Sequence, residues 1–127
     1  FALAKKYYGP IKSRGEEVTR REYSEPPQLG IKRLVVKAPA ELPQIFMAYR
    51  TPTIQDPEQD WKPYALETLA GVLDGYASAR LSKHLVREQQ IVSSVGAGYD
   101  STSRGPSLFL LDATPSEGES VTEVESA

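Results

Sequence analysis

Residues 78–100 read SARLSKHLVREQQIVSSVGAGYD, and the spacing of their apolar positions changes midway. Ser78 opens a segment in which Leu81 and Leu85 lie four residues apart, while Arg80, Lys83, His84, Arg87 and Glu88 fill the remaining positions. That spacing predicts a helix capped by Ser78, with the two leucines inward and the charged residues in water. From Val92 to Tyr99 the period drops to two: Val95, Ala97 and Tyr99 alternate with Ser94, Gly96 and Gly98. This predicts a strand with one small-residue face.

Working upstream, Trp61, Ala65, Leu69, Val72 and Tyr76 fall near one side of a second helix, with Leu66 and Leu73 widening the stripe. Asp60 is placed to cap it, Pro63 is tolerated in its first turn, and Gly75 lies near its end. Thr51 to Gln59 reads as a loop. Two strands are expected before it. Ile31 to Lys37 (IKRLVVK) has a β-branched centre, and Gln44 to Arg50 (QIFMAYR) is apolar on both faces and therefore expected to be central in its sheet. The short link through Ala38-Pro39 and Pro43 would make them antiparallel neighbours. Downstream, Ser107 to Ala113 (SLFLLDA) is again apolar on both faces and expected to be central. Ser120-x-x-Glu123 is a capping-box pattern opening a helix with Val121, Val124 and Ala127 on its stripe.

The order β-β-α-α-β-β-(α) predicts an α+β domain, an antiparallel sheet with helices packed on one face, spanning residues 31–127 and incomplete at its C-terminus. Residues 1–30 have a different character. Phe1, Ala4 and Tyr8 sit at helical spacing before Gly9-Pro10, which predicts the last turns of a helix. Residues 11–30 are polar and basic and close with Pro26-Pro27 and Gly30, the composition of an extended connector. The segment 1–30 thus reads as the end of a preceding domain's helix plus an interdomain linker.

With 127 residues and no Cys, the chain is long enough to bury a core without staples, and thiol chemistry, Cys-ligated zinc and iron–sulfur sites are excluded. Its single histidine, His84, cannot supply the three protein ligands of a usual catalytic zinc. No apolar run reaches the roughly 20 residues of a membrane-spanning helix. Residues 1–37 carry nine Lys or Arg against four Glu, whereas Asp112 to Ala127 carry five carboxylates and no base. The basic stretch is interleaved with Glu and Pro and has no aromatic platform, so nucleic acid is not expected as a partner.

Several residues are candidates for chemistry. His84 and Glu88 are one helical turn apart, but two ligands do not make a metal site. Ser93, Ser94, Ser101 and Ser103 lack the Gly-x-Ser-x-Gly setting of an activated nucleophile. Gly96-Ala97-Gly98 lies within a strand pattern and reads as close packing rather than a phosphate cradle. Arg87, just before the turn into the Gly/Ser-rich strand, is the remaining candidate: its guanidinium could reach a peptide carbonyl or carboxylate. The plainer alternative is a solvated Arg87 paired with Glu88 or Glu67.

The string at 78–100, with LETLAGVLDGY before it, QIFMAYRTP further upstream and the opening LAKKYYGPI, resembles the zinc peptidases of the pitrilysin, insulin-degrading enzyme and mitochondrial processing peptidase family. The resemblance spans essentially the whole chain. It implies the second, inactive domain of a clam-shell pair, in which the first domain carries His-x-x-Glu-His, binds zinc and activates water. The expected partners are then an unfolded peptide substrate and that metal-bearing domain or a companion subunit, with zinc held outside this chain. A second copy of the chain is a further candidate partner. The resemblance also implies a substrate-holding Arg followed seven residues later by a Tyr. Arg87 matches the Arg, but Ser94 stands at the Tyr position and Tyr99 is out of register. In paired-subunit members one chain carries the metal motif and its companion the Arg/Tyr pair, so Ser94 suggests that the parent is the metal-bearing chain. The alternative function is a scaffold or assembly subunit of the same fold with no proteolytic role.

Overall fold

The computed structural model describes residues 1–12, 15 and 26–127, in two compact units, Phe1–Lys32 and Arg33–Ala127. In the first unit, helix α1 (Ala2–Tyr8) stops where Pro10 removes the next backbone donor. Gly9 keeps a helical φ of −59°, its N–H donates to Lys5 O over 3.0 Å, and a Cβ there would sit 2.4 Å from that carbonyl. Residues 13, 14 and 16–25 of the expected connector lie outside the described residues.

The second unit is built on a three-stranded antiparallel sheet in the order β1-β3-β2, formed by β1 (Ile45–Thr51), β2 (Val92–Tyr99) and β3 (Ser107–Pro115). β3 is central, as its two apolar faces predict. It pairs with β1 from Ile45↔Ala113 to Thr51↔Ser107 and with β2 from Val92↔Pro115 to Tyr99↔Phe109, with a bulge between Val92 and Ser94. On the helix-covered face Phe109 is 5% exposed and stacks on Tyr99, with ring centroids 6.3 Å apart. The opposite face is bare: Phe46, Leu108 and Leu110 are exposed there, Phe46 to 68%.

Two strand expectations are corrected. Ile31–Lys37 is not a strand; residues 26–44 have no regular secondary structure. A strand exists only through its ladder, and no strand of the described residues pairs with that segment. Arg33 is instead ion-paired to Glu125, and Val35 is 79% exposed. Consequently β1 is a margin strand rather than a central one. Its second apolar face belongs to the bare side of the sheet.

Helix α2 (Trp61–Asp74) packs over β2, but not with the stripe its spacing suggested. Pro63 is buried and Leu66, Ala70 and Leu73 are half-buried, whereas Trp61 (69% exposed), Ala65, Leu69, Val72 and Tyr76 face outward. The helix carries apolar residues on two sides, so packing chooses the face, and the side that packs meets the Val95, Ala97 and Tyr99 face of β2. Asp60 occupies the N-cap position without capping. Its Oδ2 accepts from Gln55 N–H at 2.7 Å and Asp56 N–H at 2.8 Å, and these two backbone donors hold its carboxyl below the ordinary range.

The segment after α2 is a π-helix, Ser82–Glu88, packed against β2 with Leu81 and Leu85 half-buried. Helix α3 (Val121–Ser126) carries the expected capping box. Glu123 N–H donates to Ser120 Oγ at 3.2 Å, and Ser120 N–H donates to Glu123 Oε2 at 3.1 Å. Val124 is the buried anchor of this helix.

Candidate functional site

Arg87 lies on the last turn of the π-helix, three residues before Gln90. The π winding closes each hydrogen bond across five residues instead of four, so the helix is wider than an α-helix. It ends with Gln89 N–H donating to His84 O at 2.9 Å and Ile91 N–H donating to Leu85 O at 3.1 Å. Gln90 then takes a left-handed φ of 58°, the one such non-glycine among the described residues. For a residue with a side chain this costs roughly 1–2 kcal/mol. The turn is tied to the end of β3: Ser116 Oγ–H donates to Gln90 O at 2.8 Å and Ser116 N–H to Ile91 O at 3.0 Å.

Neither carboxylate considered as a partner engages Arg87. Glu88 sits 2.5 Å from His84 Nδ1 and 3.8 Å from Lys83 Nζ. Glu67 accepts from the hydroxyl of the buried Ser101 at 2.7 Å. Arg87 is exposed and makes no ion pair among the described residues.

Ser94 is exposed on the bare face of β2, opposite Thr114, and has no hydrogen bond to Arg87 among the described residues. Ser93 occupies the bulge and donates from Oγ to Thr114 O at 3.2 Å. Gly96 lies against the Asp112 side chain, whose Oδ1 is 2.6 Å from where a Cβ would be, so a larger residue there would push that exposed carboxylate aside. At the outer margin of β2, Ala97 N–H donates over 3.3 Å to Asp74 Oδ2 on α2.

Beyond Tyr99 a second cluster ties two loops together. Tyr99 Oη–H donates to Pro52 O, Ile54 N–H to Ser101 O at 2.9 Å, and Thr53 Oγ1–H to Gly105 O at 2.9 Å. Burial, followed by the charges of Glu67 and Asp100, raises the Tyr99 hydroxyl above its ordinary pKa. Asp100 itself is held low by the Thr102 N–H and hydroxyl. These contacts fix the loops at this end of the sheet.

Among the described residues no three His, Cys, Asp or Glu side chains stand close enough to hold a metal ion. The His84–Glu88 pair lacks a third ligand, so a zinc ion does not fit here. On the helix side a cavity of about 190 Å³, lined by Met47, Leu81, Leu85, Leu111 and Val124, is apolar and offers contact rather than chemistry. No helix among the described residues is long and apolar enough to cross a membrane.

Asp74, Gln90 and Ser116 stand beside these elements without a signal in the sequence. A left-handed glutamine and a hydrogen bond spanning 26 residues are products of the assembled sheet.

The family model described as "Peptidase M16 inactive domain" matches residues 1–127. Among solved structures, one described as the crystal structure of a protease from Helicobacter pylori is similar with a TM-score of 0.84 and 23% identity. That likeness, which is one of fold, covers 98% of this chain and 29% of the other. No curated protein matches the chain.

Proposed function

The chain belongs to the family of inactive domains of the M16 zinc peptidases of the pitrilysin type, and from that premise we propose that it closes the chamber of a zinc endopeptidase over an extended peptide. The metal and the activated water belong to another domain or to a companion subunit, since no ligand set for zinc occurs among the described residues. On this reading residues 1–30 lead from the metal-bearing domain into the inactive one.

The observation that carries the reading is the placement of Arg87: an exposed guanidinium without an ion pair among the described residues, on the helix that precedes a margin strand. A peptide adding to β2 by main-chain pairing would find Arg87 at the strand's start. Along that margin Ala97 N–H is held by Asp74 through a long 3.3 Å bond, which a peptide carbonyl can replace. The guanidinium supplies a charge-assisted donor for a peptide carbonyl or carboxylate, and Ser94 leaves it without the tyrosine companion of related domains. The role is therefore orientation of substrate rather than support of the reacting atoms.

Arg87→Ala in the full-length protein is expected to lower kcat/KM for an unstructured peptide about tenfold, the worth of one charge-assisted hydrogen bond, with an unchanged melting temperature. An unchanged kcat/KM would return Arg87 to an ordinary surface role. Reading the coding sequence upstream of Phe1 separates the peptidase from a scaffold of the same fold: an intact His-x-x-Glu-His supports the first, and a degenerate one the second.

A further inference from the structure

We infer that Ser116 is a positioning residue for Arg87, locking the wide helical turn that aims the guanidinium. The inference rests on the reading of Arg87 as a peptide-binding group and adds the device that sets its direction. Three separate features converge on the ten residues from Ser82 to Ile91: the π winding, the left-handed Gln90 and the paired Ser116 bonds. Widening the ladder from four to five residues turns Arg87 by roughly a quarter of a turn relative to an α-helical course. A side chain at a helix terminus aims where the winding puts it, so the winding decides whether the guanidinium faces the entrance to β2.

Left alone, this winding is the poorer one. An α-helix has better hydrogen-bond geometry, and a glutamine at φ 58° is strained. Strain of this kind persists only where the surroundings over-determine it. Ser116 is that surrounding. It follows Pro115, whose ladder partner Val92 opens β2, and its hydroxyl and N–H grip the two consecutive carbonyls of Gln90 and Ile91. The grip comes from the central strand, so the turn is set once the sheet has formed. Without the hydroxyl, the Gln90 carbonyl loses its partner. The turn can then relax toward α winding and carry Arg87 away from the margin of β2.

The test is a mutant cycle on the full-length protein, reading the affinity of a fluorescein-labelled unstructured peptide by anisotropy at a temperature where every variant is folded. Arg87→Ala should weaken binding about tenfold, and Ser116→Ala about three- to tenfold. Ser116→Thr, which keeps the hydroxyl, should stay within about twofold of wild type. The decisive arm is the double variant, which should bind no more weakly than Arg87→Ala alone, because Ser116 has nothing left to position. Equal loss from Ser116→Ala in both backgrounds, or no loss in either, would overturn the inference while leaving Arg87 as a binding residue. A wild-type protein that fails to bind the peptide, or an Arg87→Ala protein that binds as well as wild type, would instead overturn the peptide-binding reading itself.

Discussion

Phe109 and Leu110 are consecutive residues of the central strand on opposite faces, and truncating each tests which face of the sheet is covered. Phe109 is 5% exposed and stacks on Tyr99. Phe→Ala at such a site costs about 3–5 kcal/mol, counting the transfer of the ring and the cavity it leaves, and the lost aromatic pair lies within that range. Leu110 is 41% exposed. A fully buried leucine loses about 2 kcal/mol of transfer energy on truncation to Ala, so with somewhat over half its surface covered and no closed cavity, Leu110→Ala should cost about 1 kcal/mol. The two neighbours should therefore differ by about 2–4 kcal/mol. Domain stabilities are about 5–15 kcal/mol, so Phe109→Ala removes a large share. Phe109→Leu, at about 1 kcal/mol, is the milder probe if the first variant does not fold. Urea unfolding followed by circular dichroism gives the midpoints, and similar m-values establish that the same surface is exposed. Equal losses at 109 and 110 would refute the assignment of a covered and a bare face.

Ser120→Ala should destabilise α3 by about 1 kcal/mol, because the Glu123 N–H loses its Ser120 Oγ acceptor while the reciprocal backbone bond remains; the urea midpoint reads it. Gln90→Gly should raise stability by up to about 1 kcal/mol, since glycine takes a left-handed φ without steric penalty, and a loss would show that the glutamine side chain matters more than its backbone. Asp60, Asp100 and Glu123 all have pKa values lowered by hydrogen bonds made in the folded state. Each therefore adds stability that is fully present above the ordinary carboxylate range near about 4 and is lost as pH falls through the depressed folded values. Glu123→Gln should flatten this acid dependence in unfolding curves taken from neutral pH downward. Incubated with zinc, the chain alone should show no peptidase activity that a chelator removes. Robust turnover by the pure chain would contradict the assignment of the metal to another domain or subunit.

Where the sequence could be read, the signal was local. The alternation through Val95, Ala97 and Tyr99 marked β2, the doubly apolar SLFLLDA marked the central strand, and Ser120 with Glu123 marked the start of α3. What escaped depends on partners. Ile31–Lys37 has strand composition, yet no neighbour offers it a ladder among the described residues. Trp61, Leu69 and Val72 have helical spacing, but α2 carries apolar residues on two sides, and the side of Leu66, Ala70 and Leu73 is the one that packs. Arg87 could be singled out by its place before the turn, whereas the π winding beneath it leaves no mark in composition. Asp60 shows the same limit: its position was legible, but not its choice of Gln55 and Asp56 as donors over the helix it precedes.

The order of the strands also bears on how the molecule is made. Within the sheet β1 and β2 pair only with β3, which is the last of the three to leave the ribosome, and partners such as Thr51 and Ser107 or Ile45 and Ala113 lie 56 and 68 positions apart. At translation speeds of roughly 5–20 residues per second, β1 waits roughly 3–14 seconds for its mate, with Phe46 and Met47 unsheltered throughout. So high a contact order slows assembly and exposes the nascent chain to chaperones and aggregation, and a pause engineered just before Ser107 should lengthen that exposure and lower soluble yield.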